Sequence, residues 1–186
     1  MIKYIIVGTG QSNGKGTYSV LQSYLPENWK IINCAVGGTS VFEWQRGGEL
    51  FRNTIQAVNN EKEDGNIIAG LVHFQGEAET SNEKKAEQWL PLTDKLLKQL
   101  RNNIGNPYLP TVLCQLGAKP NDMPRPYWKF IQTKQLELWM AHPEMKFVQT
   151  KDITPYCDLP HWCTDGYMKI AERVARAFRQ FRKERD

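Results

Sequence analysis

Five short runs, at residues 2–8, 29–34, 67–74, 111–116 and 146–150, are nearly continuous in hydrophobicity and rich in β-branched residues. A strand with one wet face alternates apolar and polar side chains, whereas unbroken runs suit strands covered on both faces. Between them lie helical patterns at residues 18–25, 50–59, 83–104 and 127–140, and a last one at residues 164–182. In that last segment Ile170, Val174, Phe178 and Phe181 recur at spacings of three and four and fall on one stripe. Alternation of strand and helix along the whole chain predicts a three-layer α/β/α sandwich around a five-stranded parallel sheet. Thr80 and Glu83 have the spacing of a capping box at the start of the third helix, with Pro91 predicting a kink or a delayed start. The proline-rich stretch at residues 119–126 follows a strand and is a candidate wall of the binding crevice, because such crevices form at the carboxyl ends of parallel strands.

The chain has 186 residues, 40% of them hydrophobic, enough for one core and short for two, so residues 1–186 are expected to form one domain. No apolar run approaches the roughly 20 residues of a membrane-spanning helix. The N-terminus MIKYIIVGTG lacks the apolar stretch and cleavage site of a signal peptide, so a soluble protein, cytoplasmic by default, is expected. The net charge of +4 comes largely from RVARAFRQFRKERD, where basic and apolar residues share a helical pattern. A solvated helix face accounts for it, and no segment joins basic clusters to stacking aromatics as nucleic-acid binders do. Of the four cysteines, Cys34 and Cys114 read as small buried hydrophobes. Cys157, His161 and Cys163 crowd together, but without a CxxC or a second ligand cluster no metal is expected, and whether Cys157 and Cys163 pair is left open.

The first strand runs into Gly8-Thr9-Gly10-Gln11-Ser12-Asn13-Gly14-Lys15-Gly16. A dinucleotide fingerprint needs a third glycine where Asn13 stands, and an acidic ribose ligand where Asn33 and Cys34 stand. A phosphate-binding P-loop fails twice, at Thr9 and at Gly16. GxSxG is met by Gly10, Ser12 and Gly14, and a serine on a sharp strand-to-helix turn is exposed as a nucleophile. Only eleven residues precede Ser12, which leaves no room for the upstream strands of an α/β-hydrolase. A serine nucleophile needs a base, and the chain has three histidines. His142, before a proline at a helix end, reads as a surface or capping residue; His73, ending an apolar strand, reads as a crevice or a core residue. His161 lies three residues after Asp158, a spacing that lets a carboxylate orient the imidazole.

Four separated blocks resemble the SGNH hydrolase superfamily, in particular its sialate O-acetylesterase-like branch, which includes esterases of acetylated plant polysaccharides. They are Gly10-Gln11-Ser12-Asn13; Asn33 to Ser40 with Trp44 and Gly47-Gly48-Glu49-Leu50; Phe74-Gln75-Gly76-Glu77; and Asp158-Leu159-Pro160-His161, leading into Gly166 and Tyr167. The resemblance spans nearly the whole chain and implies a flavodoxin-like SGNH fold. It also implies Ser12 as nucleophile, His161 as general base and then acid, and Asp158 as the group orienting His161. The implied oxyanion hole comprises the Ser12 and Gly38 backbone N–H groups and the Gln75 side-chain amide. Such neutral donors are typically worth about 2.7 to 4 kcal/mol each. Ala78-Glu79-Thr80 departs from the branch's usual Ser-Asp or Ser-Asn continuation.

The expected function is a serine esterase removing acetyl or other short acyl groups from a carbohydrate such as an acetylated sugar or sialic acid, without a cofactor. Glu77, Trp44 and Trp162 are candidate substrate-binding residues, with Tyr18 and Tyr127 as further aromatics for a sugar-stacking wall; core packing is the competing role for these aromatics. A general short-chain or lipase-like carboxylesterase and a non-catalytic carbohydrate-binding protein on the same fold are the rival readings. The expected partner is a small-molecule or carbohydrate ester, with neither nucleic acid nor membrane.

Overall fold

A computed structural model of the chain describes residues 1–154 and 156–183. Its elements run β1 (Tyr4–Gly10), α1 (Ser12–Leu21), β2 (Trp29–Asn33), α2 (Glu49–Glu63), β3 (Ile67–Phe74), α3 (Glu83–Ile104), β4 (Thr111–Cys114), α4 (Trp128–Met140), β5 (Met145–Val148), β6 (Tyr156–Asp158), β7 (His161–Trp162) and α5 (Thr164–Lys183). Five strands form a sheet in the order β2-β1-β3-β4-β5, and every pairing in it is parallel. Helices α1 and α5 pack on each other, while α2, α3 and α4 pack in sequence as a separate group. This is the expected sandwich.

The central strands are buried on both faces, as their composition requires: Ile5, Ile6 and Val7 of β1 and Leu71 and Val72 of β3 are fully inaccessible. The stripe of α5 closes one layer, with Ile170 and Val174 fully buried and Phe178 and Phe181 nearly so. Each such side chain contributes about 1.5 to 3 kcal/mol by leaving water. Among the described residues no helix is long and apolar enough to cross a membrane.

Three local expectations are corrected. Helix α1 begins at Ser12, not at Tyr18, because Gly14 and Gly16 lie within it and let the Tyr18 and Tyr167 rings pack against its backbone. The third helix is capped by Asn82, whose side chain accepts from the Lys85 N–H. Thr80 instead donates to the Glu77 carbonyl within a 3-10 turn at Glu77–Ser81. Helix α3 then runs through Pro91 to Ile104 without a delayed start.

The two strands adjoining the change of direction in the sheet, β1 and β3, are where a doubly wound sheet opens its crevice. Their last paired residues are Gly10 and Phe74. Gly10 has φ +118°, and a Cβ there would stand 2.0 Å from the Phe74 carbonyl oxygen, so only glycine lets the chain turn at this point.

Candidate active site

Ser12 is the first residue of α1, directly beyond β1. Its N–H is among the first of a helix, which have no intrahelical acceptor and lie at the positive end of the dipole. The second block follows β2. Val36 N–H donates to the Gly10 carbonyl at 2.9 Å, drawing the loop alongside α1. A Cβ on Gly37 would lie 3.6 Å from the Ser12 Cβ, and Gly38 turns at φ +76°, a conformation that favours glycine, with open space where its side chain would be. The Thr39 hydroxyl donates to the Val36 carbonyl at 2.7 Å, and the Trp44 indole donates to that hydroxyl at 3.0 Å.

The third block follows β3. Gln75 is fully buried. Its Oε1 accepts from the Trp89 indole at 2.6 Å and its Nε2 donates to Glu79 Oε2 at 2.6 Å. An indole can only donate and a carboxylate accepts, so the amide has one orientation, and the Glu79 bond uses one of its two N–H groups. The other oxygen of Glu79 accepts from the Val41 N–H at 2.7 Å, three residues beyond Gly38. One buried carboxylate therefore links Gln75 to the glycine loop. Burial pushes the Glu79 carboxyl above its usual pKa.

Glu77 is also buried, at 4% exposure. Its Oε1 accepts from Asn13 Nδ2 at 2.7 Å, and among the described residues its Oε2 has no partner. Burial, reinforced by neighbouring Glu79 and opposed by the Asn13 bond and the Arg125 charge, raises its pKa to about 7.

The fourth block is an antiparallel hairpin, β6 paired with β7. A disulfide joins Cys157 to Cys163, their Cα atoms 4.9 Å apart. It answers the open question of their pairing and occupies both sulfurs. His161 Nε2 lies 2.9 Å from Ser12 Oγ. Asp158 Oδ2 is 3.7 Å from His161 Nδ1, beyond hydrogen-bond range, and its side chain is 90% exposed.

The other histidines stand apart. His73 is fully buried, its Nδ1 2.9 Å from the Thr9 hydroxyl; burial lowers its pKa to about 4 and keeps it neutral. His142 is neither a surface nor a capping residue: it is 9% exposed, with Nε2 2.7 Å from Asp94 and Nδ1 2.9 Å from Glu144. It thereby bridges carboxylates on α3 and in the turn before β5.

The sugar-stacking wall is corrected. Trp44 is fully buried and Trp162 is 3% exposed, packed against Phe74, Tyr156 and Tyr167. Tyr18 is likewise buried, its hydroxyl donating to the Thr9 and Val72 carbonyls. All three are core residues, and Tyr127 is the one of that set that is only partly buried. The residues flanking the loop at 119–126 are tied to neighbouring elements: the Tyr127 N–H donates to the Thr80 carbonyl, and the Tyr156 hydroxyl to the Ala118 carbonyl.

A family model described as carbohydrate esterase, sialic acid-specific acetylesterase, matches residues 20–180. The chain belongs to this family. The match begins after the Ser12 block. An Arabidopsis thaliana protein named "Probable carbohydrate esterase" is 24% identical over 148 residues, 80% of this chain and 54% of the relative, so the chain spans about half the length of that curated relative. Among solved structures of SGNH-type fold, an Arabidopsis thaliana protein superposes with TM-score 0.83 at 17% identity, covering 97% of this chain and 99% of its own. NanS gives 0.73 at 11% identity, covering 98% of each chain. A carbohydrate acetylesterase from Xanthomonas citri gives 0.68 at 14% identity, covering 95% of this chain and 56% of that one.

Proposed function

We propose that this member of the carbohydrate esterase family is a serine esterase that removes O-acetyl groups from a carbohydrate, through a triad of Ser12, His161 and Asp158. The observation that carries the reading is the 2.9 Å contact between Ser12 Oγ and His161 Nε2. In the mechanism, Nε2 accepts the hydroxyl proton as Oγ attacks the ester carbonyl. The imidazolium formed stands near the Asp158 carboxylate. The developing oxyanion is met by the Ser12 and Gly38 N–H groups and the second N–H of Gln75. Collapse expels the sugar hydroxyl, protonated by His161, and leaves an acetyl-enzyme. Water deprotonated by His161 then releases acetate. The steps draw on side-chain and backbone groups alone, and the acetylated-sugar substrate follows the family's description.

A second reading, a short-chain carboxylesterase, draws on apolar side chains in the same loops: Val36, Phe42 and Leu159 are 39%, 42% and 44% exposed. Hydrolysis of p-nitrophenyl acetate, butyrate and octanoate by the protein and its Ser12→Ala variant tests both. An acetate preference that disappears in the variant supports the acetylesterase, while a preference for the longer chains selects the second reading. Equal background rates in both proteins contradict both.

A further inference from the structure

In a Ser-His-Asp site the carboxylate holds the imidazole, yet here Asp158 is exposed and 3.7 Å away, so the hold on His161 must come from elsewhere. Asn13, next to Ser12, is 1% exposed and every polar position of its amide is used. Nδ2 donates to Glu77 Oε1 at 2.7 Å and to the Pro160 carbonyl at 3.2 Å, and Oδ1 accepts from the Tyr167 hydroxyl at 3.0 Å. The donor pattern has one solution. The Pro160 carbonyl can only accept, so it must face the NH2 group; Glu77 Oε1, on that same group, then accepts, and Tyr167 must donate to Oδ1.

The three bonds tie together separate parts of the chain. Asn13 lies on α1, Glu77 follows β3, Pro160 immediately precedes His161, and Tyr167 lies in the first turn of α5. The segment carrying the base is thereby held on both sides of His161 by the residue adjoining the nucleophile. Tyr167 also packs over Gly16, where a Cβ would lie 2.6 Å from its ring, so the hydroxyl has little freedom to swing away.

We infer that Glu77 and Asn13 are positioning residues: Glu77 fixes the Asn13 amide, and Asn13, through the Pro160 carbonyl and Tyr167, sets His161 against Ser12. The inference rests on the Ser12–His161 reading above and assigns the placement of the base to this buried relay in addition to Asp158. It gives Glu77 a place behind the site, without contact to the sugar.

The test is steady-state kinetics on p-nitrophenyl acetate for Asn13→Leu, Glu77→Leu, Glu77→Gln and Tyr167→Phe, each first matched to the parent by melting temperature and circular dichroism, with Ser12→Ala alongside. Because the relay acts on the base, Asn13→Leu and Glu77→Leu should lower kcat at least about tenfold with KM within about twofold, as expected for an interaction made in the transition state. Glu77→Gln keeps the acceptor oxygen and should restore most of the kcat lost in Glu77→Leu. Tyr167→Phe removes a single hydroxyl from a residue that otherwise stays packed, and should lower kcat severalfold even if the leucine variants do not fold. Folded Asn13→Leu or Glu77→Leu proteins with parental kcat overturn the relay, as does a Tyr167→Phe protein with parental kcat. If Ser12→Ala is inactive in that case, the esterase reading stands without the relay; if Ser12→Ala is fully active, the esterase reading falls as well.

Discussion

Ser12 and Gln75 stand at the ends of β1 and β3, adjacent strands in the interior of the sheet, whereas Asp158 and His161 hang on a two-stranded hairpin outside it. The sheet-borne half is dry and over-determined: Gln75, Glu79 and Trp89 are fully buried and bonded to one another in a single donor order. On the hairpin half, Asp158 is 90% exposed and the segment is pinned by the Cys157–Cys163 disulfide and the Asn13 amide. Preorganised donors are effective because they need no rearrangement as charge develops. The comparison teaches that the proposed oxyanion donors are built into the sheet, while the proposed base is carried to them on a strap.

Removing the group that spans the two halves has the largest effect: His161→Ala should lower kcat by on the order of 10⁴ to 10⁶, with an unchanged melting temperature. A loss below tenfold would separate the halves functionally. Glu79→Leu strikes the sheet-borne half and leaves two buried donors unpaired, Gln75 Nε2 and the Val41 N–H. Each costs about 1 to 3 kcal/mol, so the melting temperature should fall clearly. The loosened Gln75 should also lower kcat by about 10² or more. On the hairpin half, a Cys157→Ser, Cys163→Ser variant opens a small loop and should lose about 2 kcal/mol or less of stability. Its kcat should drop severalfold, read against the parent with and without reductant. Asp158→Asn should cost less than about fivefold in kcat, the scale of an exposed ion pair, in contrast to the roughly 10⁴ seen where a buried triad carboxylate is replaced. A loss of thousands would show that Asp158 closes on His161 during turnover and would erase the contrast between the halves.

A last effect falls on stability rather than turnover and depends on pH. Glu77 has its pKa raised from the usual 4.5 to about 7 by burial, so the folded state holds a proton that the unfolded chain releases. Its stabilising contribution is complete below about pH 4.5 and is lost as pH rises through 7. Denaturant melts should show stability declining across that window by up to about 3 kcal/mol, and less so in Glu77→Gln.

Much of this was legible in the sequence, for definite reasons. Strands such as Ile5-Ile6-Val7 are buried on both faces and cannot be polar on either, so the sheet and its parallel order show as unbroken apolar runs. The α5 stripe shows for the corresponding helical reason. What stayed hidden depends on contacts between distant parts of the chain. Gly14 and Gly16 count against a helix locally, and only the rings of Tyr18 and Tyr167 explain why they lie in one. Trp44 and Trp162 have the same composition whether they stack on a sugar or fill a core, and burial decides for the core. The hairpin is too short, three residues and two, to carry a period. Asn13 and Glu79 were visible, one inside a family block and one as a departure from it, but a hydrogen-bond partner 64 or 38 residues away leaves no local signal.

The most direct test of the central claim, that His161 activates Ser12, is labelling with a fluorophosphonate followed by intact-mass and peptide analysis. The account predicts one adduct, on Ser12, forming rapidly in the parent protein, slowed by orders of magnitude in His161→Ala and absent in Ser12→Ala. An adduct on another residue, or equal labelling rates with and without His161, would contradict it.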